Sequence, residues 1–202
     1  MTTYAWPTLT LAGPRERIFA LVPNTQVFTS PLSGSVQTLE MPGAKWKASF
    51  TLENLYGADA GRMRAFVAKL RGRANSFTLH DLGHPVPRGT CALSGVTLGA
   101  GATAGATTVT LAGCGAGATL LEGDYIGVGG ELKIVVADCT ANGSGAMTSL
   151  TFEPPSRADW SSGATVTTNK PTAVFMFTDD TVDLLMRAPF FSDVPIQAIE
   201  RI

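Results

Sequence analysis

The sequence is poor in charged side chains. Only 15% of its 202 residues are Asp, Glu, Lys or Arg, below the roughly 25% of an ordinary soluble domain. With 15 basic and 16 acidic side chains, the formal net charge is -1, which argues against bulk electrostatic attraction to nucleic acid. A surface with so few charges suits a subunit that is buried in an assembly.

Long apolar runs are also lacking. No basic segment followed by an apolar segment opens the chain, and no run of about 18 apolar residues occurs in it. We therefore predict neither a signal peptide nor a membrane span. The protein is expected to be made, and to assemble, in a cytoplasm.

Cysteine and histidine are scarce. Cys91, Cys114 and Cys139 are odd in number, widely spaced and without a C-x-x-C pattern, so we expect buried or incidental thiols rather than a disulfide framework or a zinc site. Both histidines lie in His-Asp-Leu-Gly-His at positions 80–84. A polar loop is favoured there over part of a metal site, because no third histidine exists. No cofactor is predicted.

Patterns typical of catalysis are weak. The densest carboxylates are Asp179, Asp180, Asp183 and Asp193. They fall on predicted turns and a strand edge without the spacing of a calcium loop, so we interpret them as solvated turn residues rather than an acid and base pair. The Gly-Ser-Gly at 143–145 lies in a Gly-rich loop and not at a strand-to-helix turn. The sequence therefore predicts no enzymatic activity.

The clearest pattern is a strand, a turn, a helix and a second strand between Trp46 and Leu79. Apolar residues alternate with polar ones over Trp46–Glu53, which predicts a strand with one face in the core and the other wet or at an interface. Asp59 is a candidate cap for a helix over 59–71, and Gly72 is predicted to end it. The apolar side chains of this helix form one buried stripe, Met63, Phe66, Val67 and Leu70.

The remaining faces of this helix are basic. Its cations are Arg62, Arg64, Lys69 and Arg71, with Arg73 just beyond. Three interpretations stay open: a solvated face that suits the C-terminal end of the helix dipole, ion pairs with acids of a neighbouring subunit, and contact with nucleic acid. Glu53 and Asp179 are the acids proposed for the ion pairs, and with the five cations they form our set of candidate interface residues.

Strand patterns dominate the rest of the chain, so we predict a mainly β protein. Residues 18–22 are apolar throughout and predict a strand buried on both faces. A region rich in Gly, Ala and Thr contains short strands, two of which flank Gly129-Gly130, a hairpin signal. We predict an outer β domain of residues 1–88 plus 170–202, interrupted by a small β-barrel or sandwich module over 89–169. Two consecutive domains with a strand-only tail are the alternative.

Two stretches carry a resemblance to a known family. The first runs from the aromatic strand at Trp46, through Phe66-Val67-Ala68-Lys69-Leu70-Arg71-Gly72, to Phe77-Thr78-Leu79. The second is Leu121 to Gly130 together with Phe152-Glu153-Pro154-Pro155. Both resemble the small tail proteins of long-tailed bacteriophages and their prophages, and within that group the distal tail protein resembles the chain best.

This resemblance implies both a fold and a function. It implies a β-sandwich-like ring domain with one flanking helix, and an inserted module that projects as a decoration or as a contact for tip proteins. The ring would be a homohexamer in the virion, joining the tail tube to the hub of the tail tip or baseplate. The implied partners are further copies of the chain, the tail tube protein, the hub protein and the tape measure protein. DNA would only pass through the lumen, with no sequence-specific binding.

Other functions remain open from the sequence. The chain could be another minor tail protein. A receptor- or carbohydrate-binding tail module would present an aromatic platform on the insert, for example Trp160 or Tyr125. A hydrolase acting on the cell wall is a further alternative, for which Asp179, Asp180 and His80 are the residues to mutate.

Overall fold

The structure is a computed structural model that describes residues 1–10, 14, 16–187 and 191–202. The chain is mainly β, with curled sheets and a single helix among the described residues, so the mainly β prediction is confirmed. In chain order the elements are β1 Thr3–Ala5, β2 Arg17–Val22, β3 Thr25–Thr29, β4 Val36–Glu40, β5 Lys45–Leu55, α1 Gly57–Leu70, β6 Ser76–Leu79, β7 Thr97–Leu98, β8 Thr108–Ala112, β9 Thr119–Leu120, β10 Tyr125–Val128, β11 Glu131–Val135, β12 Cys139–Thr140, β13 Met147–Glu153, β14 Val166–Thr167, β15 Ala173–Phe177, β16 Leu185–Arg187 and β17 Phe191–Glu200.

The chain divides into two compact units. The first comprises Met1–Phe77 and Phe175–Ile202, and the second comprises Thr78–Val174. Both divisions fall inside strands, β6 and β15, whereas the predicted boundaries were 88/89 and 169/170. The predicted boundaries lie at a change in composition, whereas both divisions between the units lie within continuous strands.

The first unit is built on a sheet of order β1-β6-β15-β17-β5-β2, with β16 pairing to β17. Along β5, the side chains alternate between buried and exposed as the sequence predicted. The ring of Trp6 packs against Phe50, Phe66 and Phe77, with centroids 5.7, 5.4 and 5.7 Å away. Because Phe66 belongs to α1, these contacts place the helix and the aromatic core on the same face of the sheet.

The helix α1 begins two residues before its predicted start and ends one residue before its predicted end. Its N-cap is Tyr56, which makes no side-chain capping hydrogen bond. Asp59 lies instead in the first turn, where its carboxylate accepts the Thr10 N–H at 2.9 Å. The prediction that Asp59 caps the helix was therefore wrong. Acidic side chains stabilise a helix at several positions near its N-terminus, so the presence of Asp59 did not identify the cap position. Val67 is half-buried, whereas the other three residues of the stripe are buried.

No helix in the described part of the chain has the length and apolar character needed to cross a lipid bilayer.

Strand β2 lies at the edge of the first unit's sheet. It was predicted to be buried on both faces, and this was wrong: it follows β5 at the end of the strand order, and Ile18 is 58% exposed. The Phe19 ring stacks on Trp46, with centroids 5.4 Å apart. One face of β2 thus packs on the core, while an apolar residue remains on the other face.

The second unit contains a nearly closed, barrel-like sheet of order β14-β10-β11-β13-β8-β7. A bridge between Thr97 and Thr165 joins its two ends, and the Leu98 N–H donates to the Ala164 carbonyl at 2.9 Å. The predicted Gly129-Gly130 hairpin is confirmed, with both glycines at positive φ. Few strand edges of this sheet are therefore left unpaired.

A lysine lies inside this barrel. The Lys133 side chain is completely buried, and its Nζ lies 2.7 Å from a Glu131 carboxylate oxygen and donates to the Pro155 carbonyl at 2.9 Å. The same Nζ is 5.6 Å from the ring centroid of Trp160 and 5.9 Å from that of Phe152. Ion pairing, hydrogen bonding and cation–π contact together compensate the desolvation of this charge.

The three cysteines are free thiols in the second unit. Cys91 and Cys114 are buried, and Cys139 is half-buried. A hydrogen bond between the first two thiols raises the pKa of Cys91 and lowers that of Cys114.

Candidate assembly surface

The segment between β2 and β5 forms a hairpin of its own. Strands β3 and β4 pair in register from Thr25 with Glu40 to Thr29 with Val36, as a separate two-stranded sheet. Every residue of both strands is exposed, and Glu40 is the only charged residue in the segment. We call residues 25–40 the arm.

The arm exposes apolar side chains on both of its faces. Phe28 and Leu39 share one face, Val27 and Val36 share the other, and Leu32 at the tip is 98% exposed. A lone two-stranded hairpin is marginally stable in water. Its strands also lack the Lys, Pro or bulges that protect exposed strand edges. We therefore expect a partner to cover the arm.

Two hydrogen bonds hold the base of the arm. The Asn24 side-chain amide donates to the Pro42 carbonyl at 2.8 Å, and the Met41 N–H donates to the Asn24 carbonyl at 2.7 Å. The preceding pair in the main sheet is Val22 with Lys45. The arm therefore continues from the Val22–Lys45 end of the β2–β5 pair. Its exposed side chains do not pack on the main sheet.

A groove crosses the other end of the same strands. It has a volume of about 660 Å³ and is lined by residues of β2, β5 and β17, together with Glu16 just before β2. We call this cavity the groove. Its lining includes the side chains of Arg17, Ile18, Ser49, Thr51, Glu53, Pro195 and Gln197.

The groove lies on the sheet face opposite to α1. Thr51 is opposite Pro195 in the β5–β17 register, while Ser49 is opposite both Gln197 and Ile18. Directly opposite residues of paired strands project to the same face, and these alternate with the buried residues of β5. Four of these five side chains are exposed and Ser49 is half-buried, so no described element covers this face.

Two of the predicted interface cations are paired within the chain. Arg62 Nη1 lies 3.1 Å from an Asp59 carboxylate oxygen, and Arg73 Nε lies 3.3 Å from Asp180 Oδ1. The Arg73 backbone N–H also donates to Asp180 at 3.1 Å. These contacts of Arg73, the backbone one first, hold the pKa of the Asp180 carboxyl below its ordinary value.

The other cations of the helix differ in their surroundings. Arg64 Nη2 lies 3.5 Å from Ser192 Oγ and 3.4 Å from Met186 Sδ. The side chains of Lys69 and Arg71 are exposed and make no hydrogen bond or ion pair with any described residue. They have the charge and the freedom that an intersubunit ion pair requires, and that pairing stays a prediction.

The two predicted interface acids lie in different places. Glu53 is exposed and lines the groove. Asp179 is exposed in the turn after β15, where it accepts a hydrogen bond from the Thr178 hydroxyl at 3.1 Å and lines a smaller cavity of about 230 Å³. The structure therefore brings one of the seven predicted residues to the groove and leaves the basic helix away from it.

The two histidines lie in a hydrogen-bonded loop of the second unit. Asp81 accepts the Gly83 N–H at 2.8 Å, and its other oxygen lies 3.2 Å from His84 Nδ1. Burial and the charge of Lys170 lower the pKa of His80. Among the residues that the structure describes, no three His, Cys, Asp or Glu side chains are placed to hold a metal ion.

The aromatic side chains of the second unit are all internal. Residues 78–174 contain Tyr125, Phe152 and Trp160 as their only aromatics, and all three are buried. Burial, with a contribution from Asp81, raises the pKa of Tyr125 to about 12. The exposed platform that a glycan-binding insert would present at Trp160 or Tyr125 is therefore absent from this unit.

Sequence reasoning missed both the arm and the groove. The arm had a signal, since runs at 25–29 and 36–40 flank a loop rich in Ser, Pro and Gly, as hairpins do. The groove had none, because its walls come from three strands that are far apart in the sequence. Only the register of β5 with β2 and β17 brings these walls together.

No protein-family model and no curated protein sequence matches the chain.

Proposed function

We propose that this protein is a structural, non-enzymatic subunit of a bacteriophage tail tip. Copies of it assemble into a ring, hexameric by the resemblance described above, that joins the tail tube to the hub. Its partners are its own copies, the tail tube protein, the hub protein and the tape measure protein. The virion tail tip is its location after assembly in the host cytoplasm.

The arm is the observation that carries this proposal. A segment with apolar side chains on two faces and a single charge is costly to leave in water. Monomeric proteins rarely keep such a surface, whereas subunits of permanent assemblies bury it against a neighbour. The arm is therefore expected to be buried in the working form of the protein.

The composition and the sheet face support the same conclusion. Few charged residues are available to solvate the surface, and the groove face of the main sheet has no covering element among the described residues. A ring also needs two different contact surfaces on each subunit. The first unit has two candidates, the arm and the groove.

The glycan-binding alternative has less support. Sugar-binding sites commonly stack a sugar on an exposed aromatic face, and every aromatic side chain of the second unit is buried. The structural function is therefore the one that we propose.

The oligomeric state of the purified protein tests the proposal. Sedimentation velocity and native mass spectrometry should find a closed oligomer of defined stoichiometry, and negative-stain electron microscopy should show rings. Antibody labelling of phage particles from the host should mark the tail tip. A protein that stays monomeric at high concentration and is missing from particles would contradict the proposal.

A further inference from the structure

We infer that the arm of one copy lies in the groove of the next copy, so that subunits join head to tail. This inference rests on the proposed function, because it names the surfaces that would hold the ring together.

The arm and the groove lie at opposite ends of the β2–β5 pair. The groove includes Arg17 and Ile18 at the start of β2, while the arm follows Val22 at the end of that strand. A strand rises about 3.3 Å per residue, so these ends are roughly 17 Å apart. The base of the arm is held by hydrogen bonds from and to Asn24. An arm that continues away from its own groove is placed to reach the groove of another copy.

The two surfaces both combine apolar and polar side chains. The groove combines the exposed apolar side chains of Ile18 and Pro195 with the hydroxyl and amide groups of Ser49, Thr51 and Gln197, and the charged residues Glu16, Arg17 and Glu53 also line it. The arm likewise combines apolar side chains with threonine and glutamine on both strands. Its single charge is at the base and not at the tip. The arm can thus bury apolar surface in the groove without burying a charge of its own.

The strand edge offers a second means of attachment. Strand β2 ends the order of the main sheet, and the arm consists of two strands with open outer edges. An exposed edge strand can pair with a strand of another chain through main-chain hydrogen bonds. Edge pairing would set the direction of the arm, and the side chains in the groove would set its register.

A contact of this kind joins two different surfaces. Such heterologous contacts repeat from copy to copy and generate a ring when the rotation between subunits closes. A two-fold dimer uses the same surface of both subunits instead. The two arrangements respond differently when variants are mixed, and this difference is the basis of the test.

The test uses two variants that each lose one surface. An arm variant, Phe28→Ser with Leu39→Ser, removes the exposed apolar side chains from one face of the arm. A groove variant, Thr51→Arg with Gln197→Arg, fills the groove with two large cations at exposed positions. Each variant alone is expected to be monomeric. Mixed one to one, they should form a heterodimer and nothing larger, because only one arm and one groove remain.

Matched controls separate docking from folding. Leu93→Ser with Val136→Ser removes two exposed apolar side chains from the second unit, and Thr148→Arg with Ser149→Arg adds two cations at exposed positions of β13 in the same unit. Both controls should assemble like the unmodified protein. Circular dichroism and thermal unfolding of every variant verify that the subunit is folded.

Cross-linking gives a second, independent measurement. The variant Leu39→Cys with Gln197→Cys places one new thiol on the arm and one in the groove. A thiol oxidant should convert this variant into a ladder of covalent oligomers on a non-reducing gel. A variant that carries only one of the two new cysteines should give no such ladder. No ladder from a protein that still forms oligomers would overturn the inference.

The outcomes distinguish this inference from the proposed function. Oligomers of normal size from the groove variant, or no heterodimer in the mixture of folded variants, would show that the arm binds elsewhere. The inference would then fail while the ring function stands. An unmodified protein that is monomeric at high concentration would overturn both.

Discussion

The two units of this chain treat their apolar and charged groups in opposite ways. The second unit buries all of its aromatic side chains and places a lysine inside a nearly closed sheet, where an acid and two rings surround it. The first unit leaves an apolar arm in solvent and one sheet face uncovered. The second unit therefore leaves none of its aromatic side chains in solvent, whereas the first unit leaves apolar side chains exposed that the proposed assembly would cover.

The buried lysine allows the largest test of this comparison. Lys133→Met removes the cation but retains much of the side-chain volume, so the Glu131 carboxylate remains buried without its ion-pair partner. Removal of one partner from a buried ion pair costs about 3 to 5 kcal/mol. We therefore expect a loss of this size in the free energy of unfolding of the second unit, measured by denaturant titration.

A double variant separates charge from packing. Glu131→Gln combined with Lys133→Met removes both charges and should regain part of the lost stability, because no unpaired charge is left in the barrel. If the single Lys133→Met variant unfolds at the same denaturant concentration as the unmodified protein, the buried pair is not important for the second unit.

Substitution of a glycine in the first unit is expected to have an intermediate effect on the free energy of unfolding. Gly72 follows α1 with φ of +64°, and a Cβ at this position would lie 2.7 Å from Asp180 Oδ1 and 2.9 Å from its Cα. Gly72→Ala should therefore destabilise the first unit by about 1 to 3 kcal/mol, since both the backbone conformation and the space exclude a side chain. Chemical denaturation followed by circular dichroism measures this loss.

The matched control lies within α1 itself. Gly61 is exposed, and a Cβ there would meet no other atom within 4 Å. Gly61→Ala should stabilise α1 by up to about 1 kcal/mol, because alanine has the higher helix propensity. Equal effects of the two substitutions would show that the contact between Gly72 and Asp180 is unimportant.

Alkaline titration tests the closure of the second unit. Burial beside Asp81 raises the pKa of Tyr125 to about 12 in the folded protein, above the value of about 10 for an unfolded tyrosine. The stability that this group contributes is therefore fully present below pH ~10 and is lost as the pH rises through about 12. Absorbance of tyrosinate should show a late ionisation step. Tyr125→Phe should remove this step and Tyr56→Phe should not; persistence of the step in Tyr125→Phe would assign it to another tyrosine.

The parts of the fold that the sequence predicted are those determined by local periodicity. The alternation along β5 and the Gly129-Gly130 hairpin are encoded within a few residues, and both are present in the structure. Strand β2 was misjudged because an uninterrupted apolar run does not distinguish a central strand from an edge strand with apolar side chains on an open face. Its position depends on strand order, which is a property of the whole sheet.

The candidate site was less predictable for the same reason. A basic run on one helix is visible in the sequence, but the intrachain partners of its cations are not: Arg62 and Arg73 each have an acidic partner in their own chain. Asp180 lies 107 positions from Arg73 and was not singled out as its partner. The groove depends on the pairing of three strands, so no local pattern could indicate it.

The smallest expected effect on stability bears most directly on the contrast between the units. Phe28 is 55% exposed in the arm, so Phe28→Ser should change the free energy of unfolding of the subunit by no more than about 0.5 kcal/mol. Phe152→Ala inside the barrel should cost about 3 to 5 kcal/mol, as buried aromatic residues do. Thermal and denaturant unfolding at concentrations that keep the protein monomeric measure both. A large loss with Phe28→Ser in the monomer would mean that the arm packs on its own subunit, and the arm could then not be the surface that another copy covers.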